Sequence, residues 1–255
     1  EKGGILKTEV LSFRRLAFRV FNLVGGITYP HIHPSGKCMI IHRILDKMKN
    51  SLKVFSKTAG QQGFVNTISA LITEFKRYDV TPQALEAAGE GLEEGDPLRD
   101  KLGELSAIYT AFEKTLEDRY RDSDDDLTLA SQKLDLTPLY DGGEIWIDGF
   151  SGFTPQEYKI IGKLLQKAER VNISFCTDCL EDEGRPEGTD VFSSVKSAYR
   201  KLVRLAEESG TGIESPVCLN REPLHRFSRS PELSHLEAYL NEYPYRTFPG
   251  ETRDV

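Results

Sequence analysis

Apolar residues recur at helical spacing through most of the chain. In "FVNTISALITEFKRY" they fall at positions 64, 65, 68, 71, 72 and 75, which lines one face of an α-helix. "RRLAFRVFNLVGG" repeats the rhythm: Leu16, Val20 and Leu23 form a stripe with Phe13 and Ala17 alongside, and Gly25-Gly26 supplies the stop. "ITYPHIHPSG" reads as a loop, and "KCMIIHRILDKMKN" as an amphipathic helix followed by a short strand or turn. "TPQALEAAG" opens with Thr81 as N-cap and Pro82 at the first helical position. "DPLRDKLGELSAIYTAFEKTLEDRY" predicts the longest helix, again with an Asp-Pro start, and "DSDDDLTLASQKL" a cap cluster opening one more. From Gly63 to about Leu136 the pattern is helix after helix.

The period changes at both ends of that block. "TEVLSF" (Thr8 to Phe13) is a short β-type run. Beyond residue 142 come a strand at Glu144–Asp148, a helix over about 155–168 and a strand at Val171–Cys176. The acidic loop "DCLEDEGRPEGTD" and a helix over about 191–209 follow, and the tail from Ser228 predicts a short helix with an aromatic, proline-rich end. A β-α-β-α order predicts a parallel sheet covered by helices. The expected organisation is therefore α/β: residues 1–57 and 143–255 contribute to the sheet-bearing part, and residues 58–142 form an all-helical insertion.

Composition narrows the class without naming a function. The 255 residues are 38% hydrophobic and 29% charged, an ordinary globular balance long enough to bury a sizeable core. No apolar run approaches the roughly 20 residues that span a bilayer, so no membrane segment is expected. The opening "EKGGILKTEVLSF" lacks a signal-peptide layout and an initiator Met, which suggests a fragment or a processed product. Of the four cysteines only Cys176 and Cys179 have C-x-x-C spacing, and no second pair completes a zinc site, so reduced cytosolic thiols are expected. "CTDC" also ends a strand-like run rather than opening a helix, which argues against a thioredoxin-type motif.

Charge is unevenly spread. The net is −7, yet residues 1–57 carry 11 Lys and Arg against 3 Asp and Glu, while residues 58–142 carry 8 against 18. That asymmetry fits a local face for an anionic ligand, and equally fits solvated helix faces of uneven sign.

Several motifs fail on their chemistry. "SGKC" (Ser35 to Cys38) lacks the phosphate-loop glycine, since His31 stands there, and the magnesium-holding hydroxyl, since Cys38 stands there. His31 and His33 have no identifiable third ligand and read as loop histidines. The "DSDDD" carboxylates suit a helix start, where the dipole favours negative charge. More specific is "LSFRRLAFRVFNLVGG", where a strand is expected to end in Ser12-Phe13 and a helix to open with Arg14, Arg15, Phe18 and Arg19, a strand-to-helix turn. Cations for phosphates with aromatic faces for bases are the equipment of single-strand binders.

Resemblance extends this reading. The "LSFRRLAFRV" run is similar to the strand-and-helix segment of superfamily 1 helicases that follows their first DNA-contacting motif. "EIWIDGFSGFTPQEY" resembles their Walker B strand, which in active members ends Asp-Glu-Phe-Gln-Asp with a Pro and a Gln shortly after. Asp148, Phe150 and Pro155 match, whereas Gly149 replaces the Glu and Ser151-Gly152 replaces Gln-Asp. The Asp holds magnesium through water and the Glu polarises the attacking water, a task glycine cannot perform. With "ITEFKRY" and "WIDGFSGFTPQE", the whole chain is similar to the AddB family (RexB in some bacteria), the B subunits of AddAB-type ATP-dependent helicase/deoxyribonucleases.

The resemblance implies a partial RecA-like parallel sheet, of the P-loop NTPase and UvrD-like helicase class, with residues 58–142 as a 1B-type insertion. It places the phosphate loop before Glu1 and the nuclease with its iron–sulfur cysteines after Val255, so that no cofactor is expected here although the parent uses ATP, magnesium and the cluster. It implies a non-motor subunit in a bacterial cytoplasm, partnered by AddA, that reads single-stranded DNA for a Chi-type signal during double-strand-break repair. The DNA contacts it suggests are Ser12, Phe13, Arg14, Arg15 and Phe18, with Asp148 and Gly149 as a degenerate Walker B. A docking module for AddA without DNA contact and a hydrolysing motor fragment are the alternatives.

Overall fold

A computed structural model describes residues 8–180, 190–219, 225–240 and 243–251. Most of the acidic loop expected at 178–190 lies outside the described residues. The helices are α1 (Phe13–Val24), α2 (Pro34–Met48), α3 (Gln62–Arg77), α4 (Pro82–Glu90), α5 (Pro97–Leu116) and α6 (Asp126–Lys133). Strand β1 (Glu144–Ile147), α7 (Pro155–Lys167), β2 (Arg170–Ile173), α8 (Ser193–Glu208) and α9 (Pro231–Tyr239) follow.

Local chemistry accounts for the helix starts. Thr81 and Asp96 accept backbone N–H bonds at the heads of α4 and α5, each with Pro next in sequence. Thr154 and Glu157 form a reciprocal capping box at the head of α7. Helix α2 begins three residues earlier than its apolar pattern suggests, because the His33 side chain caps Ser35 and Pro34 takes the first helical position.

Strands β1 and β2 pair in parallel, Glu144 opposite Arg170 through Ile147 opposite Ile173, joined by the α7 crossover. Mixed α/β organisation is thus present, but the sheet among the described residues is small and the protein is mostly helical. The β-type run at Thr8–Phe13 does not become a strand. Its residues are irregular up to Ser12, which caps α1, and Phe13 is already helical. An extended segment becomes a strand only by pairing its backbone, and no described strand lies beside it.

Two cores organise the helices. Residues of α2, α3, α4 and α5, including Ile41, Ile68, Leu85 and Phe112, form one. The second joins Leu16, Ala17, Val20 and Phe21 of α1 to Ala130, Leu134, Ile160 and Leu164 of α6 and α7. Ile147, Ile161 and Leu202 extend it over one face of the sheet.

Candidate nucleic-acid interface

Helix α1 is anchored by one face and presents the other. Leu16, Ala17, Val20 and Phe21 are buried, which turns Arg14, Arg15 and Arg19 outward. Ser12 accepts from Arg15 N as the cap at 3.3 Å. Arg19 pairs with Glu9 at 3.1 Å. Neither Arg14 nor Arg15 has a carboxylate partner among the described residues, and the first turn of α1 contains no Asp or Glu. That is the reverse of the usual preference, because the helix dipole makes cations unfavourable at an N-terminus.

The two phenylalanines are tied into the fold. Phe13 is half-buried and meets Phe150 and Phe153 edge-on, with centroids 5.5 and 6.3 Å away. Phe18 is half-buried against Phe21 and His31, also edge-on, and the Arg14 guanidinium lies 6.0 Å from its ring centre. The Phe13 contacts bring the two informative sequence segments together. The head of α1 sits against the loop that leaves β1 at Asp148, and ligands of open α/β sheets gather at the carboxyl ends of strands.

Asp148 and Gly149 form the turn at that end. Both are exposed, and the Asp148 carboxylate accepts a hydrogen bond from the Ser174 hydroxyl, at the end of the neighbouring strand. Gly149 has φ +82° with no atom within 4 Å of where a Cβ would stand. The turn thus has room for a side chain but a left-handed backbone that disfavours one. Among the described residues no three His, Cys, Asp or Glu converge as metal ligands.

Lys37 of "SGKC" has a different task. Its Nζ bonds Asp122 at 2.8 Å, Asp124 at 3.0 Å and Thr73 at 2.9 Å. Lys76 lies beside it, its side chain 2% exposed, at 2.6 Å from Asp125, 2.8 Å from Glu113 and 3.3 Å from Asp122. Both ammonium groups approach the Phe112 ring, at 5.5 and 5.6 Å from its centre. Asp122 does cap a short 3-10 turn by accepting from Asp124 N, as "DSDDD" suggests, but the cluster chiefly balances two buried lysines. Burial pushes the Asp122 carboxyl up, and Lys76 and Lys37 outweigh it, leaving the pKa below the usual carboxylate range. For Lys76 burial pulls down, while Asp125, Asp122 and Glu113 more than compensate and hold it above the ordinary lysine value.

This ion cluster reaches the sheet-bearing part through Gln156. Its amide donates to the Asp124 carbonyl at 2.8 Å and to the Thr128 hydroxyl at 3.0 Å. Arg121 pairs with Asp126 and lies 4.9 Å over the Phe21 ring of α1, and His31 Nε2 is 3.0 Å from Asp126. The loop histidines are thus a carboxylate partner and a helix cap. Sequence reading missed the lysines, although a signal existed. Lys76 continues the buried stripe Val65, Ile68, Ile72, and Lys37 begins the stripe Ile41, Ile44, Leu45. A lysine on an apolar stripe implies a buried counter-charge. No disulfide joins the four cysteines, and Cys176 and Cys179 lie in the loop after β2.

Residues 1–237 match the family model described as ADDB, N-terminal. The chain is 66% identical over 253 residues to the B subunit of the ATP-dependent helicase/deoxyribonuclease of Acetivibrio thermocellus, covering 99% of this chain and 22% of that protein. Identity is 54% over 253 residues to the protein of the same description from Ruminiclostridium cellulolyticum, again 99% and 22%. It is 46% over 255 residues to that of Clostridium botulinum, covering 100% and 22%. The chain spans about a fifth of the length of these relatives.

Proposed function

The chain belongs to the ADDB N-terminal family, and from that premise we propose that it is a non-motor, DNA-reading part of the B subunit of an ATP-dependent helicase/deoxyribonuclease. Its role is to hold single-stranded DNA during double-strand-break processing, beside an AddA-type partner subunit. On this proposal the small sheet with α7 and α8 is part of a RecA-like domain, and the helical block is its insertion. Inspection of the strand for a Chi-type signal is the portion carried by family resemblance alone.

The single observation behind the DNA contact is the head of α1. Two arginines without carboxylate partners among the described residues stand where a helix would favour acids. A phosphate placed there pairs with both guanidinium groups and with the helix dipole, so bound DNA relieves a cost the free protein carries. Ser12 at the cap and the exposed parts of Phe13 and Phe18 complete the contact. The two rings also pack the core, so truncating them would mix folding with binding.

Arginine substitution separates the two. In the intact two-subunit complex, Arg14→Ala with Arg15→Ala is expected to weaken binding of a single-stranded oligonucleotide about tenfold near physiological salt. The slope of log affinity against log salt should become shallower by about 1.4, at about 0.7 per lost phosphate contact. Unchanged affinity and slope would overturn the assignment.

A further inference from the structure

His31 sits in the irregular stretch between α1 and α2, yet contacts fix it from several sides. Ile32 N donates to Arg121 O at 2.8 Å and Arg121 N to Pro30 O at 3.0 Å, so the main chain on either side of His31 is tied to residue 121. The imidazole Nε2 lies 3.0 Å from the carboxylate of Asp126, which is buried and also pairs with Arg121. Arg121 in turn covers the Phe21 ring. The loop, the 121–126 turn and α1 thus close a circuit of contacts around one histidine.

The imidazole also meets the Phe18 ring edge-on, with ring centres 6.1 Å apart and planes at 87°. Helix α1 does not need that contact to stay in place, because Leu16, Ala17, Val20 and Phe21 already bury its inner face. We propose that His31 is a positioning residue: it holds the Phe18 ring in the orientation that accepts a stacked base of single-stranded DNA, while Asp126 and Arg121 hold His31. The inference rests on the placing of Phe18 in the strand contact.

Side-chain freedom is what makes such a brace useful. A half-buried phenylalanine on a helix surface has more than one staggered χ1 setting, and freezing it only when DNA arrives costs affinity. Phe21 stands edge-on 6.4 Å away and the Arg14 guanidinium 6.0 Å from the ring centre, but both belong to α1 itself. His31 comes from outside the helix and is anchored to a buried carboxylate, so it constrains the ring independently of α1. A brace of this kind acts on the base and not on the phosphate. It alters how much the bases add to affinity, whereas the salt dependence stays with the arginines.

Two oligonucleotides of equal length, one of ordinary deoxynucleotides and one abasic throughout, isolate that contribution when bound by the intact two-subunit complex. His31→Gln keeps an amide N–H for Asp126 and removes the ring. It is expected to lower the ratio of base-bearing to abasic affinity about threefold, with abasic affinity and salt slope unchanged. His31→Phe returns a ring without the hydrogen bond and should restore most of the ratio; no restoration would overturn the brace. Phe18→Leu, which keeps an apolar side chain, is the reference and should lower the ratio about tenfold. A full ratio in His31→Gln beside a reduced one in Phe18→Leu would overturn the brace and leave the stacking contact standing. Equal losses on both oligonucleotides in His31→Gln would overturn it as well, because the histidine would then be merely structural. A full ratio in both variants would overturn the brace together with the stacking role of Phe18.

Discussion

Lys37 and Lys76 on one hand, and Arg14 and Arg15 on the other, are cations on helices of the same protein in opposite circumstances. The lysines are buried among Asp122, Asp124, Asp125 and Glu113. The arginines stand exposed at the head of α1 with no carboxylate beside them among the described residues. A charge imbalance between two stretches of sequence can therefore mean two things at once. Part of it is a pair that closes inside the fold, as when the basic leading segment gives Lys37 to the acidic middle. The unpaired remainder is what a ligand can use. Counting charges along the chain merges the two, and only the packing of α2 and α3 against the 122–126 turn separates them.

The comparison breaks most sharply at Asp122. Asp122→Ala leaves two buried ammonium groups short of a counter-charge and should cost about 3 kcal/mol, seen as a lower urea midpoint with unchanged slope. Titration should act on the same cluster. Asp122, whose pKa is lowered in the folded state, stabilises above its unfolded value of about 3.9, and that contribution fades as pH falls through the folded value. Lys76, whose pKa is raised, stabilises fully below about 10.4 and loses its contribution as pH rises through the folded value. Asp125 of the same cluster acts the other way: burial pushes its pKa up to about 6, so its contribution falls as pH rises from the unfolded value of about 3.9 through about 6. Urea midpoints should therefore level off only between about 6 and about 10.4, with an Asp122-dependent acid shoulder that shrinks in Asp122→Asn.

Gly149→Glu should have an intermediate effect. The left-handed backbone makes any side chain there cost about 1–2 kcal/mol. ATP hydrolysis by the subunit should not rise, because one carboxylate beside an Asp148 held by Ser174 does not rebuild the site. A gain of hydrolysis would show that the turn lacks only its glutamate. The smallest expected effect sits at the arginines. Arg14→Ala with Arg15→Ala should change stability by no more than about 0.5 kcal/mol, or raise it slightly, since both oppose the helix dipole. A loss as large as that of Asp122→Ala would mean that these arginines are structural after all.

Most element types were legible from period and caps. Helices α4, α5 and α7 lie within a few residues of their apolar stripes, because Thr81-Pro82, Asp96-Pro97 and Thr154-Pro155 fix their starts through local hydrogen bonds, while α3, with no side-chain cap, follows its stripe alone. The β-α-β order was equally readable, as the switch from helical to alternating period is a local property. "TEVLSF" misled for the complementary reason: its β-type residues need a neighbouring strand, which local sequence cannot promise. The candidate site was half legible. The outward placement of Arg14 and Arg15 follows from the apolar stripe of α1, but the packing of Phe13 on Phe150 and Phe153 depends on residues far apart in the chain.

By itself, then, the sequence determined the helices, the crossover, the family and the absence of a glutamate after Asp148. Those follow from spacing, caps and residue identity, which act over a few positions. Tertiary structure alone decided which cations are spent on carboxylates and which remain open, and that Gly149 stands at a left-handed turn. Charge pairing and burial depend on what stands opposite, and Lys37 meets Asp122 across 85 positions of chain.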